Sequence, residues 1–176
     1  MATKFQKDLQ KYAELAVRVG LNLRPGQRLL VRAPSPYGVA FEHAPLVHYI
    51  AKAAYKAGAR LVDVFWGDEK MELIRFANAP RDSFAEFPKW KVVGPLEYAE
   101  RGDAILTISA TNPDLLAGQD PALVSVYQDT MWKEMAPYLR HGTSNTMNWC
   151  VISAARPSWA KKMFPKLSEE KAVAKQ

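Results

Sequence analysis

The stretch Tyr49–Glu69, YIAKAAYKAGARLVDVFWGDE, limits what this chain can fold into more than any other. Leu46, Val47, Ile50, Ala51, Ala54 and Tyr55 recur at helical spacing, and Gly58 stands where a helix C-terminus needs a residue free to turn left-handed. Leu61-Val62-Asp63-Val64-Phe65-Trp66 follows at once, short, β-branched and aromatic, and Gly67-Asp68 closes it. A helix that passes through one turn into a buried strand predicts a parallel α/β sheet.

The flanking segments repeat that alternation. Thr3 and Gln6 form a capping box ahead of a stripe of Phe5, Leu9, Tyr12, Ala13, Ala16 and Val17 that ends at Gly20. The turn Arg24-Pro25-Gly26-Gln27 leads into a buried strand at Leu29-Leu30-Val31. Ala33 to His43 reads as a loop at the carboxyl end of that strand, where parallel sheets commonly bind ligands. Pro45 sits in the first turn of the organising helix. Asp68 caps a helix through Leu73, Ile74 and Phe76, and a short helical stretch starts at Asp82 or Ser83. Leu96 to Arg101 supplies another turn or two of helix, and Ala104 to Ile108 is a third buried strand. Asp120 and Pro121 start a long helix that Pro137 ends or kinks. A fourth strand spans Thr146 to Ser153, a short helix follows Arg156-Pro157-Ser158, and Ser168-Glu169-Glu170 caps a last one. The expected architecture is a mostly parallel sheet flanked by helices, a doubly wound, Rossmann-like three-layer sandwich with right-handed crossovers.

Composition narrows the function classes. The 176 residues carry a formal charge of +6, but the basic residues are scattered among acids, without the basic stripe or aromatic-studded arm of a nucleic-acid binder. No run reaches the ~18 apolar residues of a membrane span, and MATKFQKDLQ lacks a signal-peptide core. With Cys150 as its single cysteine, the chain suits a reducing cytoplasm. His43 and His48 are five apart rather than four, so they do not stack as a zinc pair on one helical face, and His48 reads as a surface residue. His141 falls at a helix C-terminus, where a cation suits the dipole. Asp68, Glu69, Glu169 and Glu170 occupy first helical turns, which favours capping over catalysis. The segment RAPSPYGVAFEH after Val31 has no glycine-rich phosphate loop, Cys150 lies in an apolar strand, and no G-x-S-x-G elbow occurs. The residues therefore present no catalytic, cofactor-binding or metal-binding set.

Four strings in order, KYAELAVRVGLNLRPGQRLLVRAP, PLVHYIAKAAYKAGARLVDVFWGDE, EYAERGDAILTISATNPDLLAGQDP and NWCVISAARPSWAKKMFP, span nearly the whole chain. Together they resemble the N-terminal half of the M29 metalloaminopeptidases of the aminopeptidase T and S type. The loop from Ala33 to Ala44 is long against the family pattern.

That resemblance implies a two-domain, two-metal exopeptidase that removes N-terminal residues from peptides, with zinc, cobalt or similar divalent ions held by a C-terminal domain. Residues 1–165 are then expected to be the α/β N-terminal domain, and 166–176 the start of a helix leading to the catalytic domain. No metal or catalytic residue carries over to any position here. The chain alone is expected to be inactive, to serve dimerisation and substrate access in a homodimer, and to leave apolar surface for the catalytic domain. The alternative is a stand-alone, catalytically inactive binding module of the same fold.

Overall fold

The computed structural model describes residues 3–34 and 37–176. Its elements in chain order are α1 Lys4–Leu15, β1 Arg28–Arg32, β2 Val39–Ala40, α2 Ala44–Lys56, β3 Leu61–Val64, β4 Trp66–Gly67, α3 Glu69–Asn78, α4 Trp90–Glu100, β5 Ala104–Ser109, α5 Pro121–Thr143, β6 Asn148–Ser153, α6 Pro157–Met163 and α7 Glu169–Lys175. The main sheet is parallel, in the order β3-β1-β5-β6, with Leu29 opposite Ala104 and Ala104 opposite Asn148.

Both faces of the central strands are buried, and strand periodicity assigns each side chain to a face. Leu29 and Val31 of β1, with Ala104, Leu106 and Ile108 of β5, pack on α1, the turn that follows it and α2 through Ala13, Val17, Leu46, Val47 and Ile50. Leu30 and Ile105 point the other way, onto Val92, Tyr98 and Ala99 of α4 and Met131, Met135 and Tyr138 of α5. A third cluster, Phe76, Phe84, Leu123 and Tyr127, holds α3 to the start of α5. The doubly wound three-layer sandwich expected from the alternation is the fold found.

The caps sit where the sequence puts them. Thr3 and Gln6 form a reciprocal capping box, Asp68 accepts from Lys70 N–H, and Asp120 accepts from Ala122 N–H. Ser168 precedes α7, but its side chain makes no capping bond.

Three expectations change. The strand read as Leu61 to Trp66 splits at Phe65 into β3 and β4. It is not buried, because β3 is a sheet edge on which Leu61 stays exposed. The segment read as a loop from Ala33 to His43 contains β2, which pairs in parallel with β4. α4 starts at Trp90 rather than near Leu96, running through Gly94 and Pro95. Of the two alternatives for Pro137, ending the long helix is ruled out, since α5 runs on to Thr143. The first helical stripe ends at Gly20 as read, its last turn being a π-turn over Ala16–Gly20.

Gly58 ends α2 at φ +92, and a Cβ built there falls 3.0 Å from the Pro25 Cβ. Its carbonyl accepts from Gly26 N–H, so the two turns brace one another. Gly58→Ala is expected to lower the free energy of unfolding by about 1–3 kcal/mol, measured by urea denaturation, since a side chain at this φ is strained.

Candidate functional site

In an open α/β sheet, ligands bind outside the carboxyl ends of the strands where the chain winds away in two directions. Here that switch point lies between β1 and β5. The loops after β1, β3, β5 and β6 meet there, and one side chain joins them. Arg156, three residues beyond β6, reaches Glu69 Oε1 through Nη1 at 2.6 Å, the Ala110 carbonyl at 2.9 Å, and Glu42 Oε1 through Nε at 2.8 Å. Glu69 Oε1 also accepts from Asn112 N–H at 2.9 Å. With Arg156 and Glu69 14% and 11% exposed, this is a largely desolvated pair rather than a surface contact.

The mini-sheet closes over the same end. Val39 N–H donates to the Phe65 carbonyl, and Phe41 stacks on Trp66 with ring centroids 5.2 Å apart. Gly38 and Gly67 make the pairing possible, since a Cβ on Gly38 would lie 2.2 Å from the Trp66 carbonyl carbon. Between the loops a gap of about 10 Å³ remains, room for a single water. The crevice that accepts nucleotides in other doubly wound folds is thus filled by this chain's own ion pairs.

His43 is buried in this cluster. Its Nε2 has no hydrogen-bond partner among the described residues and lies 3.7 Å from Glu42 Oε1. Burial pushes its pKa down; Glu42 and Glu69 oppose the shift and Arg156 reinforces it. A larger hollow of about 650 Å³ lies beside the cluster, walled by α1, the start of α2 and α7, with Phe5, Leu9, Tyr12, Leu46 and Val173 among its apolar surfaces.

The remaining titratable residues of the sequence reading stay apart. His48 is exposed on α2. His141 Nδ1 lies 3.0 Å from the Thr146 hydroxyl at the end of α5. Cys150 is half-buried, its thiol pKa raised by desolvation, and its Sγ falls 2.8 Å from a Cβ built on Gly20. Glu69 does more than suit a first helical turn, because it anchors Arg156. Among the described residues no three of His, Cys, Asp and Glu converge into a group able to hold a metal ion. Glu42 and Glu69 both meet the Arg156 guanidinium, which occupies the position between them that a cation would need. These residues do not fit a metal. Arg156 and Glu42 escaped the sequence reading, since nothing local marks either as a partner of the other.

The described residues thus build a doubly wound domain whose switch point is filled by the Arg156 cluster. The comparisons give that domain a family. The family model described as Peptidase M29, thermophilic metalloprotease, matches residues 5–176, and the chain belongs to that family. Aminopeptidase 2 of Geobacillus stearothermophilus is 42% identical over 172 residues, which is 98% of this chain and 40% of that protein. Aminopeptidase AmpS of Bacillus subtilis (strain 168) is 36% identical over 96% of this chain and 40% of its own length. The solved structure of wild-type AmpT from Thermus thermophilus superposes with a TM-score of 0.89 at 36% identity, over 97% of this chain and 42% of that one. The chain therefore spans about 40% of the length of the curated relatives it matches.

Two outcomes follow from the cluster. Arg156→Met is expected to cost about 3 kcal/mol of stability by stranding Glu69. Adding Glu69→Gln is expected to recover part of that loss, which a double-mutant cycle read by denaturant unfolding will measure. For His43, a pKa depressed in the folded state means that the unfolded chain binds the proton more readily. Stability is then full above about pH 6.5 and falls as the pH drops below it, with a slope of at most about 1.4 kcal/mol per pH unit. His43→Gln is expected to flatten that part of the stability profile.

Proposed function

We propose that this chain is the N-terminal α/β domain of a metal-dependent aminopeptidase that hydrolyses N-terminal residues from peptides, and that the catalytic metal ions are held by residues outside it. The observation that carries the reading is the match over residues 5–176 to a metalloprotease family whose aminopeptidase members are about two and a half times as long. The filled switch point supports it, because it leaves the domain as a rigid wall beside the chemistry. Divalent zinc, cobalt or a similar ion would serve the full enzyme as Lewis acid.

In this reading residues 1–165 form the accessory domain and 166–176 lead toward the catalytic one. Its part is to shape peptide access and to contribute to a homodimer in the cytoplasm. Large exposed apolar side chains, among them Phe41, Trp132, Trp149 and Val151, give it surface to commit to such contacts. No helix among the described residues is long and apolar enough to cross a membrane. The second reading, a stand-alone binding module, draws on the fact that both faces of the sheet are covered by this chain's own helices.

Given zinc or cobalt and unblocked peptides, the purified 176-residue chain is expected to release no N-terminal amino acid. Sustained release abolished by a chelator overturns the proposal. The native gene product is expected to have an intact mass well above 19.8 kDa. A native mass of that value transfers the weight to the binding module.

A further inference from the structure

The hollow of about 650 Å³ beside the Arg156 cluster has one wall made by a single stripe of α1. Phe5, Asp8, Leu9 and Tyr12 stand at i, i+3, i+4 and i+7, the spacing that puts four side chains on one helical face, and all four line it. Leu9 also packs on the core, and the Tyr12 hydroxyl donates to the Ser153 carbonyl at 2.9 Å, which fixes this wall against the end of β6. Phe5 and Tyr12 are 59% and 37% exposed. Their rings thus present apolar surface one turn to either side of an acid.

The lining carries two carboxylates, Asp8 and Glu42, and among the described residues no lysine or arginine. Glu42 is engaged, with Arg156 Nε at 2.8 Å and His43 Nε2 at 3.7 Å. The Asp8 carboxylate makes no hydrogen bond or ion pair among the described residues; Lys4 and Lys11 stand at i−4 and i+3 to it on α1, yet neither pairs with it. His43 adds an independent observation. It lines the hollow, is only 7% exposed, and its Nε2 has no hydrogen-bond partner among the described residues. Burial pushes its pKa down, so at about pH 7 the ring is neutral and adds no positive charge to the lining. Ala155, also in the lining, has neither its N–H nor its carbonyl in a hydrogen bond among the described residues.

We propose that this hollow binds an organic cation, a primary ammonium carried on an apolar body. The ammonium donates to the Asp8 carboxylate, with the Phe5 and Tyr12 rings within one turn of the same charge. The body packs on Leu9, Leu46 and Val173. Asp8 is the charge in this lining that the fold leaves without a partner, so it sets the sign of the ligand. The volume falls inside the ~300–1,000 Å³ of small-molecule pockets, which gives room for a ring and a second apolar group. His43 Nε2 and the Ala155 N–H and carbonyl leave polar partners for a ligand that carries an amide as well. The site stands on the hollow and Asp8, and is independent of the peptidase reading.

The test is calorimetric titration of the 176-residue chain with phenethylamine, hydrocinnamate and phenylalanyl-leucinamide at about pH 7. The first two share a ring and differ in charge, and the third carries the ammonium on a peptide body without a carboxylate. Saturable binding of either ammonium with a Kd of about 1 mM or tighter is expected, with the carboxylate weaker by at least about fivefold. Tighter binding of phenylalanyl-leucinamide identifies a peptide N-terminus as the source of the cation; equal or tighter binding of phenethylamine identifies a simple amine. Asp8 is exposed on α1, so Asp8→Asn is expected to leave circular dichroism unchanged while weakening binding about fivefold. Asp8→Lys is expected to abolish it. No saturation by either ammonium up to about 10 mM, binding of hydrocinnamate at equal strength, or full binding by a folded Asp8→Asn overturns the proposal.

Discussion

Burial of β1 and β5 on both faces is the constraint from which the rest of this structure follows. Leu29, Leu30 and Val31 are consecutive and all nearly inaccessible, so helices must cover the sheet from two sides. Each such side chain contributes about 1.5–3 kcal/mol when fully buried. A polar group between them would need a partner that the layers cannot supply. Charge is therefore confined to the strand ends. At the amino end, Arg28 Nε meets Asp103 at 2.7 Å, Arg28 N–H donates to the same carboxylate, Nη1 reaches Glu97, and the guanidinium lies 4.3 Å from the Tyr98 ring centroid. That set locks β1, β5 and α4 in register before any loop is considered.

At the carboxyl end the same exclusion brings Glu42, Glu69 and Arg156 together beyond the strand termini, and here the domain departs from the usual use of its fold. A parallel sheet that diverges from its centre leaves a crevice at the switch point. Arg156 closes it by spanning from the β6 loop to the β1, β3 and β5 loops. A guanidinium with three oxygen partners is a stronger tie than a hydrogen bond between neutral groups, and it leaves little freedom for the loops that would otherwise open over a ligand. Open volume is displaced to the flanks, beside α1 on one face and under α4 on the other.

This division explains what the sequence made legible. Caps, turns and apolar periodicity are local, so Thr3 with Gln6, Gly58, Asp68, Asp120 and the core stripes of α2 and β5 could be read directly from residue order. The edge position of β3 could not, because Leu61, Val62 and Val64 look the same whether one neighbour or two covers them. The β2–β4 pairing rests on two glycines, Gly38 and Gly67, that are far apart in the chain and meet only after folding. Arg156 and Glu69 are 87 residues apart, and no spacing rule links them. Arg32 left a weak trace, a charge closing an apolar run; its burial became visible only with α5 in place.

The misread start of α4 belongs to the same account. Gly94 lowers helix propensity and Pro95 removes an N–H from the ladder, so the segment from Trp90 onward carries two penalties that local reading takes as a boundary. The helix forms because tertiary contacts on both sides of those residues outweigh the penalties. Before them, Val92 is buried against the sheet and Trp90 leans on Phe65. After them, Tyr98 bonds to Asp63 and Ala99 is buried. The contacts that hold α4 are thus also walls of the cavity under it: Phe65 and Asp63 on the β3 side, Trp90 and Tyr98 on the helix. A helix so weak in intrinsic propensity has its position set by side chains facing that space, so whatever fills the space acts on the placement of α4 and, through Tyr98 and Arg28, on the amino-end lock of the sheet.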